Sequence, residues 1–361
     1  MKKVGFAAVC GLLLLALAAC GDDDDSDGPG PSGSETPEAT GTVQSEPFDP
    51  DAELTIYSGR REPLFQPVVD LFEEETGIDV SVRYGGTTEL GAALLEESGN
   101  PQADVFIGTG ADAAEALREM DAFETFDSPV LEDVPDEYQS ADGTWVGISG
   151  RSRIIMYNPE VVEEEDLPLP DSVFDLTDEV YEDHVAIAST LDAEVTAWIS
   201  ALRIFLGDEE AQAYLEDLQD NGIEVLSNHT EVRAAVGSGE KAFGLVNHYY
   251  YELEKEEGSP VDAIYPDQGA EEMGILINVV AGAIVRDARH PEEAAAFLEF
   301  LLSPEAQELF AATNFEYPLI PGLSTRAERG PDDFKQFEVD LAELGGLHES
   351  SLDMLDEIGF Q

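Results

Sequence analysis

The sequence has almost no cysteine and little lysine. Its 361 residues include two cysteines and five lysines. Cys10 lies inside an apolar N-terminal run, so a processed chain would keep Cys20 alone, and no disulfide framework can form. Basic residues of both kinds number seventeen against 79 acidic ones, a formal net charge of −62. Nucleic acid would repel such a polyanion, which excludes that class of partner. The acid excess runs through every segment, and the lysine shortage is equally global. A chelating site would be local, so the charge fits adaptation to high salt, where screening removes the self-repulsion of the compact state. Glycine-rich phosphate loops, a nucleophile elbow and a metal-ligand histidine set are also missing, and the five histidines are scattered. An enzyme is therefore not expected.

What is present begins with the ends. Lys2 and Lys3 precede an apolar run from Val4 to Ala19, shorter than a comfortable membrane span. The run closes in Leu-Ala-Ala-Cys at Cys20, which resembles the lipobox of bacterial-type lipoproteins and implies an exported chain lipidated on Cys20. Residues 1–20 are thus read as a lipoprotein signal peptide. Residues 21–50 hold Asp, Ser, Gly, Pro, Thr and Glu with almost nothing apolar. Such a segment buries too little surface to offset its ordering entropy, and it reads as a disordered acidic tether. Roughly 310 residues remain, enough for two ordinary domains.

Strand and helix signals alternate along that remainder. Leu54–Tyr57 reads as a strand. Leu64, Val68, Val69 and Phe72 then fall at helical spacing up to Gly77. "IDVSVRY" and "ADVFIGT" are strands, each followed by a helix, with Thr88 a candidate cap of the first. "GTWVGISGRSRIIMYN" reads as two strand-like runs broken at Ser149-Gly150. A second alternating block follows through "HVAIAS", "IEVL" and "AFGLVN". "ILINVVAGAIV" is another strand, and two helices meet at Ser303-Pro304 before a polar C-terminal stretch. Two such blocks predict an α/β fold of two lobes with mostly parallel strands. The ligand site would lie outside the carboxyl ends of the strands, between the lobes.

"GLVNHYYYELE", Gly244 to Glu254, is the most distinctive stretch. Tyrosine hydroxyls need partners when buried, so three in a row are either an aromatic packing cluster or a set of oxygen ligands. Phenolate suits a hard trivalent cation, which prefers anionic oxygen. The reference phenol pKa is near 10, so ionisation needs the cation itself.

Taken in order, "LTIYSGRREPLFQPVVDLFEEETGIDV", "PQADVFIGT", "WVGISGRSRIIMYN", "GLVNHYYY" and "FLEFLLSPEAQELF…EYPL" resemble the bacterial periplasmic ferric-ion-binding proteins, the substrate-binding components of iron ABC importers. The resemblance covers about Ala52 to Pro321. It implies a two-lobed periplasmic-binding-protein ("Venus flytrap") fold with hinge crossovers near Gly150-Arg151, Gln268–Met273 and Tyr317-Pro318. The first lobe would be 51–150 with about 270–317, and the second 151–269 with about 318–361. It implies Fe3+ bound by the phenolates of Tyr249 and Tyr250, with Tyr251 left to packing. It also implies a permease partner, a monomeric state and the extracytoplasmic face of a membrane.

Departures from the family pattern are equally specific. Arg61 stands where some members carry a histidine, Thr109 where they carry a glutamate, and Val195 near a third tyrosine. Two phenolates leave most of the coordination open. An anion such as carbonate or citrate, held by Arg60, Arg61, Arg151 and Arg153, is one completion, since guanidinium forks match such anions. Asn228 and Asn247 match family asparagines that help hold the anion, and both equally suit turns or caps. Asp192 or Glu194 is a second completion, by direct ligation, although Glu194 also suits a plain first-turn helix acid. Water is the third. His248 is expected to act behind the ligands or at the surface. The same fold with an organic anion, an iron chelate or another small solute is the alternative reading.

Overall fold

The computed structural model describes residues 53–190 and 193–360. The signal-like segment, Cys20, the tether and Asp192 lie outside them. The first block runs β1 (Leu54–Ser58), α1 (Glu62–Thr76), β2 (Val80–Tyr84), α2 (Thr87–Glu96), β3 (Val105–Gly108), α3 (Ala111–Glu119) and β4 (Phe123–Glu124). The long β5 (Val146–Tyr157) and short α4 (Pro159–Glu164) lead into the second. That block holds β6 (Val185–Ala188), α5 (Ala193–Leu206), α6 (Asp208–Asp220), β7 (Glu224–Leu226), α7 (His229–Gly237), β8 (Phe243–Asn247), α8 (His248–Glu256) and β9 (Asp262–Ile264). β10 (Ile277–Val285) returns to the first block, followed by α9 (Pro291–Leu301), α10 (Pro304–Asn314) and α11 (Leu341–Ile358).

One sheet joins the two halves in the order β2-β1-β3-β10-β5-β8-β6-β7. β1, β2 and β3 are parallel, as are β6, β7 and β8, and the antiparallel β10 and β5 lie between the two sets. β1, β3, β6 and β8 are buried at every position, because helices cover both faces of a parallel sheet. On the first half, α1 turns Phe65, Val68, Val69 and Phe72 inward. Phe72 meets Phe297 of α9 edge to face at 5.0 Å. Gly77 ends α1 at φ 73°, donating its N–H to the Glu73 carbonyl, the left-handed cap that glycine adopts without strain.

β5 is the crossing strand. Residues up to Ser152 pair with β10, whereas Arg153–Tyr157 pair with β8. The expected break at Ser149-Gly150 does not occur. β5 continues through it, held by β10 on one side and by an antiparallel bridge from Gly150 to Tyr317. That bridge places Tyr317 at a crossing, as the family resemblance implies. Gln268–Met273 does not form a crossing strand. It contains a turn, and the return path runs through Ile275 into β10, because the apolar run that fits between β3 and β5 starts only there. Gly86, not Thr88, caps α2.

The C-terminal stretch, read as polar, contains the longest helix among the described residues. α11 does not belong to the second half alone, since it packs on both α3 and α5. Toward α3, His348 Nδ1 lies 2.6 Å from Asp112 Oδ2, and a Cβ on Gly345 would lie 2.4 Å from the Glu115 Cβ, so only glycine permits that approach. Toward α5, the Ser351 and Ser200 hydroxyls are 2.9 Å apart, and Arg203 donates to Ser350 at 2.8 Å. No described helix is long and apolar enough to cross a membrane.

Candidate functional site

The carboxyl ends of both parallel sets open on a cavity of about 180 Å³ between the halves. Gly59, Arg60, Arg61, Leu64, Gly86, Thr87 and Thr109 line it from the first half. Glu194, Ser227, Tyr249 and Tyr250 line it from the second, and Arg151 of β5 lines it from the crossing. Gly59 allows the close approach here, since a Cβ would meet the Thr87 hydroxyl at 2.0 Å. The walls touch where Arg61 Nη1 donates to Thr230 of α7 at 2.8 Å.

Helix geometry sorts the three tyrosines. Successive helix residues are rotated by about 100°, so three in a row cannot face one way. Tyr249 and Tyr250, in the first turn of α8, reach the cavity with ring centroids 4.3 Å apart. Tyr251 points elsewhere, its hydroxyl donating to Glu328 at 2.7 Å, which agrees with a packing role. Burial, and next the Glu194 carboxylate, pushes the Tyr249 phenol well above its ordinary value, so it is neutral at neutral pH. Among the described residues, no group of three His, Cys, Asp or Glu side chains is placed to hold a metal ion.

His248 turns away from the cavity to the hinge. Its Nδ1 accepts from the Ser152 N–H at 3.2 Å, its Nε2 lies 2.8 Å from the Phe315 carbonyl, and its ring stacks on Tyr317 at 4.0 Å. Burial holds its pKa down to about 3, so it is a neutral strut that joins the crossings behind the tyrosines.

The residues expected to hold an anion are divided. Arg61 and Arg151 border the cavity. Arg60 also borders it, but its guanidinium is engaged by Glu316, at 2.8 and 3.1 Å, in a pair buried on both sides. Arg153 is absent from the lining and donates to the Glu194 carbonyl at 2.8 Å. Asn228 caps α7 by accepting from the Glu231 N–H at 3.1 Å. The Asn247 side-chain amide donates to the Glu194 carboxylate. Glu194 Oε1 also lies 3.3 Å from Arg151 Nη2. Thr109, in place of the family's glutamate, shares a 2.9 Å hydrogen bond with Thr87.

Two residues escape the sequence reading. His229 is fully buried, 5.2 Å from the Tyr250 ring by centroids, with Nε2 3.6 Å from Glu194 Oε2. Burial, then the charges of Arg153, Arg151 and Arg61, keeps it neutral. It opens α7 directly after Asn228, and that helix-start position next to a candidate residue is the only signal the sequence carries. Glu316 gives no local signal, since its partner is 256 positions away.

The chain is similar to known proteins in sequence and in fold. A Bacterial extracellular solute-binding protein family model matches residues 100–334. The "Fe(3+)-binding periplasmic protein" of Serratia marcescens is 29% identical over 300 residues, 81% of this chain and 87% of its own length. "Iron uptake protein A1" of Synechocystis is 30% identical over 320 residues, 86% of this chain and 88% of its own. The crystal structure of iron-bound HitA from Pseudomonas aeruginosa superposes with a TM-score of 0.78 at 28% identity, covering 85% of this chain and 99% of that one. Two lobes, crossing strands at their junction, a cleft at the strand ends and a family match across most of the folded part together establish that this chain belongs to the bacterial extracellular solute-binding protein family.

Proposed function

We propose that this chain is the substrate-binding component of an ABC importer, not an enzyme, and that its cargo is ferric iron. The observation that carries the proposal is the pair Tyr249 and Tyr250, side by side on one wall of an interlobe cavity. Each phenol sheds its proton on meeting the cation, and the resulting phenolates are the hard, anionic donors that Fe3+ prefers. The relatives named for iron binding support the same cargo. Closure brings Arg61 onto Thr230 and shuts the cavity, a population shift favoured by contacts from both walls. The cationic edge formed by Arg61 and Arg151 supports an additional anionic oxygen donor beside the phenolates. The lipobox-like Cys20 supports a chain tethered to the outer face of a membrane, where a monomer would hand iron to a permease. The acid excess supports a saline setting.

Visible spectroscopy tests this. The mature chain, purified in high salt and stripped, is titrated with ferric iron with and without carbonate or citrate. A phenolate-to-iron charge-transfer band is expected in the wild type and is expected to be lost in Tyr249→Phe and in Tyr250→Phe. A band unchanged in both variants would overturn the assignment.

A further inference from the structure

Glu194 lies among the groups expected to hold a separate anion. Its carboxylate lines the cavity with the two tyrosines. Arg151 Nη2 lies 3.3 Å from one oxygen, the Asn247 amide donates to the other, and His229 stands 3.6 Å from that same oxygen. Arg153 holds the main-chain carbonyl of the same residue at 2.8 Å. Three of the groups expected to grip an exogenous anion, Arg151, Arg153 and Asn247, therefore grip Glu194. A fourth, Arg60, is committed to Glu316. An anion entering here would meet a like charge in its own binding place, and the side chain that repels it is buried, with 6% of its surface exposed.

Resting on the reading of the cargo as ferric iron, we infer that Glu194 is a built-in substitute for the separate anion, so that the site takes the ferric ion without carbonate or citrate. Two phenolates and one carboxylate supply three negative charges to a trivalent ion, all from oxygen. The arginine and asparagine that hold the carboxylate fix its orientation before the metal arrives, as partners of ligating carboxylates do. Arg61, at the cleft mouth, is left to the opposite wall through Thr230.

The test uses the mature chain in potassium chloride with carbonate removed. Ferrous chloride is added and oxidised in place by oxygen free of carbon dioxide. The phenolate-to-iron band and the retained iron are measured before and after millimolar bicarbonate. The wild type is expected to develop its full band without bicarbonate, with an affinity that bicarbonate changes less than about threefold. Glu194→Gln keeps the shape and loses the charge. Its affinity is expected to fall by about a hundredfold without bicarbonate and to recover at least about tenfold when bicarbonate is added. A wild-type band that develops only with bicarbonate overturns this inference and leaves the tyrosine assignment standing. Glu194→Gln matching the wild type in both buffers also overturns it. No band in any condition overturns both readings.

Discussion

The two walls of the cleft share one plan and differ in chemistry. On each side, parallel strands end at helix starts that face the gap. Thr87 opens α2 on the first wall, with Arg60 and Arg61 just ahead of α1. On the second wall the matching positions are Glu194 in α5 and Tyr249 and Tyr250 in α8. Among the described residues that line the cavity, every carboxylate and phenol belongs to the second wall. The first wall offers hydroxyls and guanidinium groups. The architecture therefore sets where a site forms, and a few residues in the first turn of each helix set what it holds. On the proposed function, one wall captures the cation and the other closes over it.

The largest effect should come from removing the capturing wall. Replacing both tyrosines, Tyr249→Phe with Tyr250→Phe, is expected to abolish the iron band and leave no iron bound after gel filtration. A first-wall change that did the same would break the contrast between the walls.

Next is the strut behind the first wall. Removing one partner of a buried ion pair leaves the other charged and unpaired, at a cost of about 3–5 kcal/mol. Glu316→Ala, which strands Arg60, is expected to lower unfolding stability by that order in urea titration at high salt. A loss below about 1 kcal/mol would return Arg60 to the set of groups free to hold an anion.

Closure is weaker. Arg61→Ala deletes one exposed hydrogen bond across the cleft, worth about 1 kcal/mol. Iron release should quicken by less than about tenfold, read by transfer to a competing chelator, while the band keeps its position.

Acidity sharpens the contrast further. Tyr249 is neutral at neutral pH because its pKa is raised, so binding must expel its proton, and affinity should fall as pH falls. An indicator dye should record at least one proton released for each ferric ion bound.

The smallest effect lies outside the cleft. Burial opposes a charge on His348, but the hydrogen bond and charge of Asp112 outweigh it and raise its pKa. The resulting stability is fully present below the unfolded pKa, about 6.5, and is lost as pH rises through the raised folded value. His348→Gln should flatten that part of the stability profile, measured by thermal melts between pH 5.5 and 8.

Much of this could be read from local patterns. The helix read from Leu64, Val68, Val69 and Phe72 and the strands with their alternating helices form where spacing places them, because amphipathic periodicity is a local property, although Phe65 and not Leu64 joins the helix's buried face. The tyrosine pair was singled out by the family resemblance, since the run alone fits either packing or ligation, and rotation along α8 explains why only two of the three face the gap. Long-range pairing was not legible. Ser149-Gly150 looks like a break until β10 and Tyr317 flank it. Arg60 looks available until Glu316 is placed beside it, and Asn247 until Glu194 is. α11 was hidden by its composition, since Gly345, Gly346, Ser350 and Ser351 are poor helix formers, and the small size of Gly345 and Ser351 serves close contact with α3 and α5 instead.

α11 carries a consequence of its own. It clamps α3 and α5 together while contributing nothing to the cavity wall. Shortening the chain before Leu341 would remove this clamp without removing a cavity side chain, and would leave the sheet alone to join the two halves. Grip and posture would then become separable properties, the first written in a handful of residues near the strand ends and the second in a helix that never meets the cargo.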